Sequence, residues 1–328
     1  MKFARWFLCS LVIVSLAVRA NLSAAPLKVA FSDWPGWTAW EIAAQKGWFK
    51  KAGVDVELLW FEYGPSMEAF TAGQVDAVMV TNGDALVTGA GGGKNVMITI
   101  TDYSNGNDMI VARPGIKSVK DLKGKKIGIE VGFVSHLMLL NALEKNGLTE
   151  SDVEIVPTPT SQTPQVLASG QVDAIAAWQP NSGEALKALP GATAIYSSAN
   201  EPGLIYDTVA VTPQSLAQRR ADWVKFVKVW DQVVAYLTDS ATREDGIKIM
   251  AARAGVDPKE YAAFISGTRF LTLAEGSRIM SSKSKGFGSV TGSSVISDDF
   301  NVKNGVYGEA QDIGSYIDPT IMADALKN

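Results

Sequence analysis

Two rhythms of apolar and polar positions alternate along the chain. Short apolar runs of strand length recur at 27–31, 54–60 and 77–80, and again at 126–129, 153–156 and 174–177. Between them the apolar residues fall at helical spacing. Trp37, Trp40, Ala44 and Trp48 form one stripe that predicts a helix over 37–51, ended by Gly53. A second helix is predicted at 67–72. The same order returns as helices over 136–146, closed by Gly147, and over 164–169. Strands without polar faces, alternating with helices, predict an α/β fold of parallel sheets with helices on both faces.

The two sets of elements are copies. Gly73-Gln74-Val75-Asp76-Ala77 recurs as Gly170-Gln171-Val172-Asp173-Ala174, 97 positions later. The same offset aligns Asp55-Val56-Glu57-Leu58 with Asp152-Val153-Glu154-Ile155, and an offset of 98 aligns 27–31 with 125–129. A period this long exceeds any solenoid repeat and fits two related lobes. Two β-rich segments ending at proline, 108–114 and 204–213, read as crossovers between them. The predicted lobes are therefore 26–112 with 207–328, and 113–206. After Pro213 the stripe of Trp223, Phe226, Val227, Trp230, Val234 and Leu237 predicts helix packed on the core. Further helices are expected at 242–253, 258–267 and 318–327. The Ser/Gly/Lys-rich stretch 281–294 reads as a loop.

The N-terminus changes the arithmetic. Lys2 and Arg5 precede an apolar run over 6–18, followed by Arg19 and small residues to Ala25. This is the pattern of a signal peptide over 1–25, and the run is too short to span a membrane. Cleavage after Ala20 or Ala25 would remove Cys9, the chain's one cysteine, and leave 27 basic against 34 acidic residues. Disulfides, thiol chemistry and a polyanionic nucleic-acid partner are then excluded. A single histidine, His136, forms no metal cluster with its sequence neighbours, and no cofactor is expected.

The runs Ala43-Ala44-Gln45-Lys46-Gly47-Trp48-Phe49-Lys50-Lys51-Ala52-Gly53-Val54-Asp55-Val56-Glu57, Ala72-Gly73-Gln74-Val75-Asp76-Ala77 and 116–128 resemble the solute-binding proteins of ABC importers for sulfonate, taurine, nitrate and thiamine precursors. The resemblance covers about residues 27–240 and rests on scaffold motifs. It implies a two-lobe periplasmic binding protein fold with two crossover strands and the ligand between the lobes. It also implies a monomer exported to the periplasm that delivers its solute to a membrane permease.

Ligands in open parallel sheets sit beyond the carboxyl ends of the strands. The residues there include Asp33, Trp34 and Trp37 after the first strand, Asn82 and Asp84 after 77–80, and Asp102 after 96–100. In the second lobe they include Glu130 and Ser135, then Trp178, with Asp207 on the return crossover. Carboxylates and aromatic rings dominate this set, and no Lys or Arg belongs to it; Arg113 is the nearest. A sulfonate or nitrate calls for Arg, hydroxyls and helix amides. A planar cation such as guanidinium calls for carboxylates and aromatic faces. Asp33 and Asp84 equally suit helix caps, and Trp37 its own helix stripe. A small nitrogen-rich, guanidinium-like solute is the leading expectation. The alternatives are a sulfonate, taurine or nitrate binder, a thiamine pyrimidine-precursor binder, and a synthase-like enzyme. The synthases of that kind carry a cysteine-rich motif, which this chain lacks, so no catalysis is expected.

Overall fold

A computed structural model describes residues 25–327; the predicted signal peptide lies, but for Ala25, outside them. Two mixed sheets carry the fold. The first contains β1 (Leu27–Phe31), β2 (Val56–Trp60), β3 (Ala77–Thr81) and β4 (Val96–Ser104). The second contains β5 (Met109–Ala112), β6 (Lys126–Ile129), β7 (Glu154–Pro157), β8 (Ala174–Ala177) and β9 (Thr193–Ser197). The chain then returns to the first sheet as β10 (Tyr206–Val211) and β11 (Thr268–Phe270). The orders are β11-β4-β10-β3-β1-β2 and β7-β6-β8-β5-β9. In each, three strands are parallel and the strands beyond them are antiparallel. Met109–Ala112, read from sequence as crossover before a boundary at 112, hydrogen-bonds within the second sheet.

The internal repeat has a structural counterpart. Strand orders β3-β1-β2 and β8-β6-β7 are equivalent, and Val29 faces Ala77 as Ile127 faces Ala174. Asp76 accepts from the Lys28 amide at 2.9 Å, and Asp173 accepts from the Lys126 amide at 2.9 Å. The repeated aspartate thus ties the turn before the third strand of each lobe to the start of the first. Both belong to the scaffold.

Two sequence expectations need correction. The helix over 37–51 is three short pieces, Pro35–Thr38, Trp40–Gln45 and Trp48–Lys51. Gly47 at φ 68° breaks the last of them, a conformation open to glycine and costly for other residues. The apolar stripe survives the breaks, because Trp37 and Trp40 are buried. The stretch 281–294 is not a plain loop. It holds the end of the helix Leu273–Ser281 and the first turns of the helix Val290–Lys303. Ser289 starts that helix, its Oγ accepting from the Gly292 amide at 2.9 Å. Ser293, Ser294 and Ser297 are small enough for this helix to lie close against the helix Asn82–Ala90. The stripe beyond Pro213 forms the helices Pro213–Lys228 and Trp230–Thr238, with Trp223, Phe226 and Trp230 fully buried. No described helix is long and apolar enough to cross a membrane.

Candidate functional site

The ends of the strands from both sheets meet across a cleft, and two cavities lie there in series. The outer one, about 430 Å³, is lined by Ser32, Asp33 and the segment after β2 (Trp60 to Tyr63) from one lobe. Glu130, Thr160, Gln162 and Trp178 line it from the other. The inner one is small and holds about 10 Å³, room for roughly one water. Its walls are Trp34, Trp37, Thr81, Asp108 and Asp207 from the first lobe and the hinge, with Val134 and Trp178 from the second. Trp178 borders both cavities and so stands between them. Neither lining contains a Lys, Arg or His.

Aromatic rings box the inner cavity. Trp37 stacks on Tyr63 with centroids 5.2 Å apart, and Tyr63 meets Trp178 edge-on at 5.1 Å. Trp34 meets Trp37 edge-on at 6.5 Å. Trp178 is fixed by its indole N–H, which donates to Asp33 Oδ1 across the cleft at 2.9 Å. Asn181 donates to the other oxygen of Asp33 at 2.8 Å. One carboxylate of the first lobe therefore holds two side chains of the second.

Around the box stand four buried carboxyl groups. Asp102 sits behind Asp207 on the neighbouring strand, the two facing each other in register. It accepts from Trp34 Nε1 at 2.9 Å and from Thr101 Oγ1 at 2.8 Å. As opposed residues of an antiparallel pair their side chains share one face of the sheet, and Asp207 Oδ2 finds no N–H or hydroxyl donor among the described residues. Asp84 accepts from Tyr63 Oη at 2.6 Å and, across the cleft, from the Val134 amide at 3.2 Å. Asp108, beside Ser104, completes the set. Burial raises all four above the ordinary carboxyl range, Asp84 and Asp108 to about 7. Asp207 is raised by its burial, to which Asp102, Asp108 and Asp84 add like charge. Asp33 is raised to about 6 by burial, against the pull of Trp178 and Asn181.

The ten residues named from sequence separate into groups. Trp34, Trp37, Trp178 and Asp207 line the inner cavity; Asp33, Glu130 and Trp178 line the outer one. Asp84 and Asp102 form a shell behind the inner walls. Glu130 accepts from Thr160 Oγ1 at 2.7 Å, and burial raises it too, but it reaches only the outer cavity. Asn82 belongs to neither cavity. Its amide donates to Ser293 and Ser294 at 3.1 Å and accepts from the Tyr206 amide, so it anchors a helix. Ser135 is buried with an unpartnered hydroxyl but lines neither cavity. Asp33 and Asp84 cap no helix of their own; the cap at 81–84 is the Thr81 hydroxyl.

Sequence reading missed Tyr63, Glu62, Asp108 and Thr160. Three of them follow β2 and β7, the two strands whose carboxyl ends were not inspected. Asp108 was hidden by its place at the start of a crossover. A wider groove of about 800 Å³ lies elsewhere, between the Trp48–Lys51 and Pro213–Lys228 helices. Its Arg220 and Lys225 are already paired with acids, and no strand end points into it.

Comparison with known proteins places these observations in a lineage. The family described as "NMT1/THI5 like" matches residues 34–243. A Brucella abortus (strain 2308) protein named "Putative binding protein" is 27% identical over 279 residues, covering 84% of this chain and 86% of its own. The periplasmic aliphatic sulphonate binding protein SsuA from Escherichia coli superposes with TM-score 0.74 at 19% identity, over 91% of this chain and 99% of its own. The desulfurization enzyme DSZB superposes with TM-score 0.62 at 17% identity, over 92% and 99%. At such identities the structural likeness is one of fold. That fold serves a binder and an enzyme alike.

Proposed function

The chain belongs to the NMT1/THI5-like family, and from that premise we propose that it is the extracytoplasmic solute-binding protein of an ABC importer. Its solute is a small nitrogen-rich cation, guanidinium-like compounds first, which it passes to the membrane permease without altering it. Residues 1–25 direct its export to the periplasm, where it works as a monomer. The lobes are the chain around each sheet, with the solute enclosed where Trp34, Trp37, Trp178 and Asp207 meet.

One observation carries the reading of charge. Four buried carboxyl groups surround a small aromatic-walled cavity whose lining holds no basic residue. A buried carboxylate without a counter-charge is costly, and a cation relieves that cost. Indole faces attract the same charge, by about 2 kcal/mol or more when water is excluded. An anion placed there would meet four acids. The binding reading over the enzymatic one rests on the chemistry at hand. The described residues contain no cysteine, no group of acids or histidine able to hold a metal, and one histidine, turned towards Glu150 and Phe300.

Calorimetry of the ligand-free protein against guanidinium chloride, an aminopyrimidine, taurine and nitrate tests this directly. Guanidinium should bind, and ligand recovered after long incubation should be unchanged by mass spectrometry. Tight taurine or nitrate binding with no response to guanidinium or the aminopyrimidine would transfer the protein to the anion receptors. A reproducible product would move it to the enzymes.

A further inference from the structure

We propose that the solute cation enters in exchange for a proton: the ligand-free protein keeps one proton on the Asp102–Asp207 pair, and binding sends it to solvent. The inference rests on the cationic reading above and deepens it.

The geometry is that of two acids that cannot both ionise. Asp207 is 1% exposed and Asp102 is fully buried, and the two stand opposite each other on neighbouring antiparallel strands, where opposed side chains share a face. Asp102 already accepts one donor on each oxygen, from Trp34 and from Thr101, and keeps acceptor capacity for one more. Asp207 Oδ2 is buried and has no such donor among the described residues. A proton on Asp207, donated to Asp102, resolves the contact without any other group. The direction of the raised Asp207 titration agrees with this.

No other charge near the pair can substitute for that proton. On its own strand Asp207 is flanked by Tyr206, whose hydroxyl donates to Phe287 O, and by Thr208. Strand β3 presents Thr81, and β4 presents Thr101, Asp102 and Tyr103. The helix Asn82–Ala90 contributes Asp84, engaged by Tyr63. The turn before β5 contributes Asp108, and the second lobe contributes Val134 and Trp178. Every titratable group in this set is an acid or a phenol. A cation arriving against Asp207 supplies the missing positive charge, so the pair releases its proton and Asp207 binds as a carboxylate. Charge is conserved: one cation in, one proton out to buffer.

The consequence is a pH-dependent affinity with a defined sign. A guanidinium stays charged up to about pH 12, so the ligand itself does not titrate in the working range. Below the upper pKa of the pair, each unit drop in pH should weaken binding about tenfold, the slope for one proton released.

The test is calorimetry of guanidinium chloride binding at fixed pH in phosphate and in Tris, whose ionisation heats differ widely. Wild-type protein should show an apparent enthalpy that depends on buffer, with a slope of about one proton released. Asp207→Asn keeps a donor to Asp102 but has no proton to give. It should bind more weakly and with a buffer-independent enthalpy. Infrared difference spectra give a second readout on wild-type protein alone: binding should remove a buried carboxylic-acid C=O band. Measurable binding with a buffer-independent enthalpy and no loss of that band would overturn the exchange while leaving the cationic reading intact. A slope that survives unchanged in Asp207→Asn would overturn its assignment to the pair. Absence of any cation binding would overturn both.

Discussion

Asp33, Asp84 and Asp108 titrate upward for one reason: each is withdrawn from water with no cation beside it. The sign of the effect on stability follows. In the folded protein they take up protons near pH 6 to 7, whereas in the unfolded chain they wait until about 3.8. The folded state binds more protons in that window, so acidification favours it. The melting temperature of ligand-free protein should therefore rise as pH falls from about 8 to about 5, opposite to ordinary acid denaturation. A melting temperature that falls steadily over the same range would refute the account of these acids. The acidic and aromatic character of the site was legible in sequence because it depends on residue type and strand order alone. Which carboxyl touches the cavity was not. Asp102 and Asp207 sit on adjacent strands 105 positions apart in sequence, and only pairing register decides that one stands behind the other. Gly36 contributes to that arrangement, since a Cβ there would fall on the Asp102 carboxylate.

Elements were read best where burial alone shapes them. The six strands of the repeat appear where apolar runs placed them: β1, β3, β6 and β8 are buried but for Lys28 and Lys126, and the edge strands β2 and β7 keep the pattern although Glu57 and Glu154 are exposed. The two misreadings share a cause of the opposite kind. The stripe from Trp37 to Trp48 kept its helical spacing through breaks that depend on backbone geometry, at Gly47 above all. The serines of 289–297 looked like loop by composition, yet their smallness is what lets the helix Val290–Lys303 approach the helix Asn82–Ala90 closely. Gly83 shows how closely: a Cβ there would press on Ser297. The start of that helix depends on Ser289, whose hydroxyl accepts from Gly292 and donates to Ser284 O at 2.6 Å. Ser289→Ala should cost about 1 kcal/mol of unfolding free energy in a urea titration, the usual worth of a cap. Ser289→Thr should recover part of it. An unchanged midpoint in the alanine variant would show that the helix starts without its cap.

At the scale of the molecule, the two lobes are described in contact over the site. Asp33 holds Trp178 and Asn181, and Asp84 holds the Val134 amide, each bond crossing the cleft. The inner cavity of about 10 Å³ is smaller than any organic cation, so on the proposed function entry would require the lobes to part and Trp178 to move. Closure then desolvates the solute and its carboxylates together, which is how a two-lobe protein turns a small ligand into a stable closed state. The duplicated lobes supply the hinge geometry, and the sequence repeat made that architecture visible; the solute's position within it is the claim most open to direct trial. A crystal structure of the guanidinium complex decides it. The account predicts the cation in an enlarged inner cavity, beside Asp207 and Asp108 and flanked by Trp34, Trp37 and Trp178, with the lobes closed over it. A cation held in the outer cavity by Glu62 and Glu130, with Asp207 untouched, would contradict it.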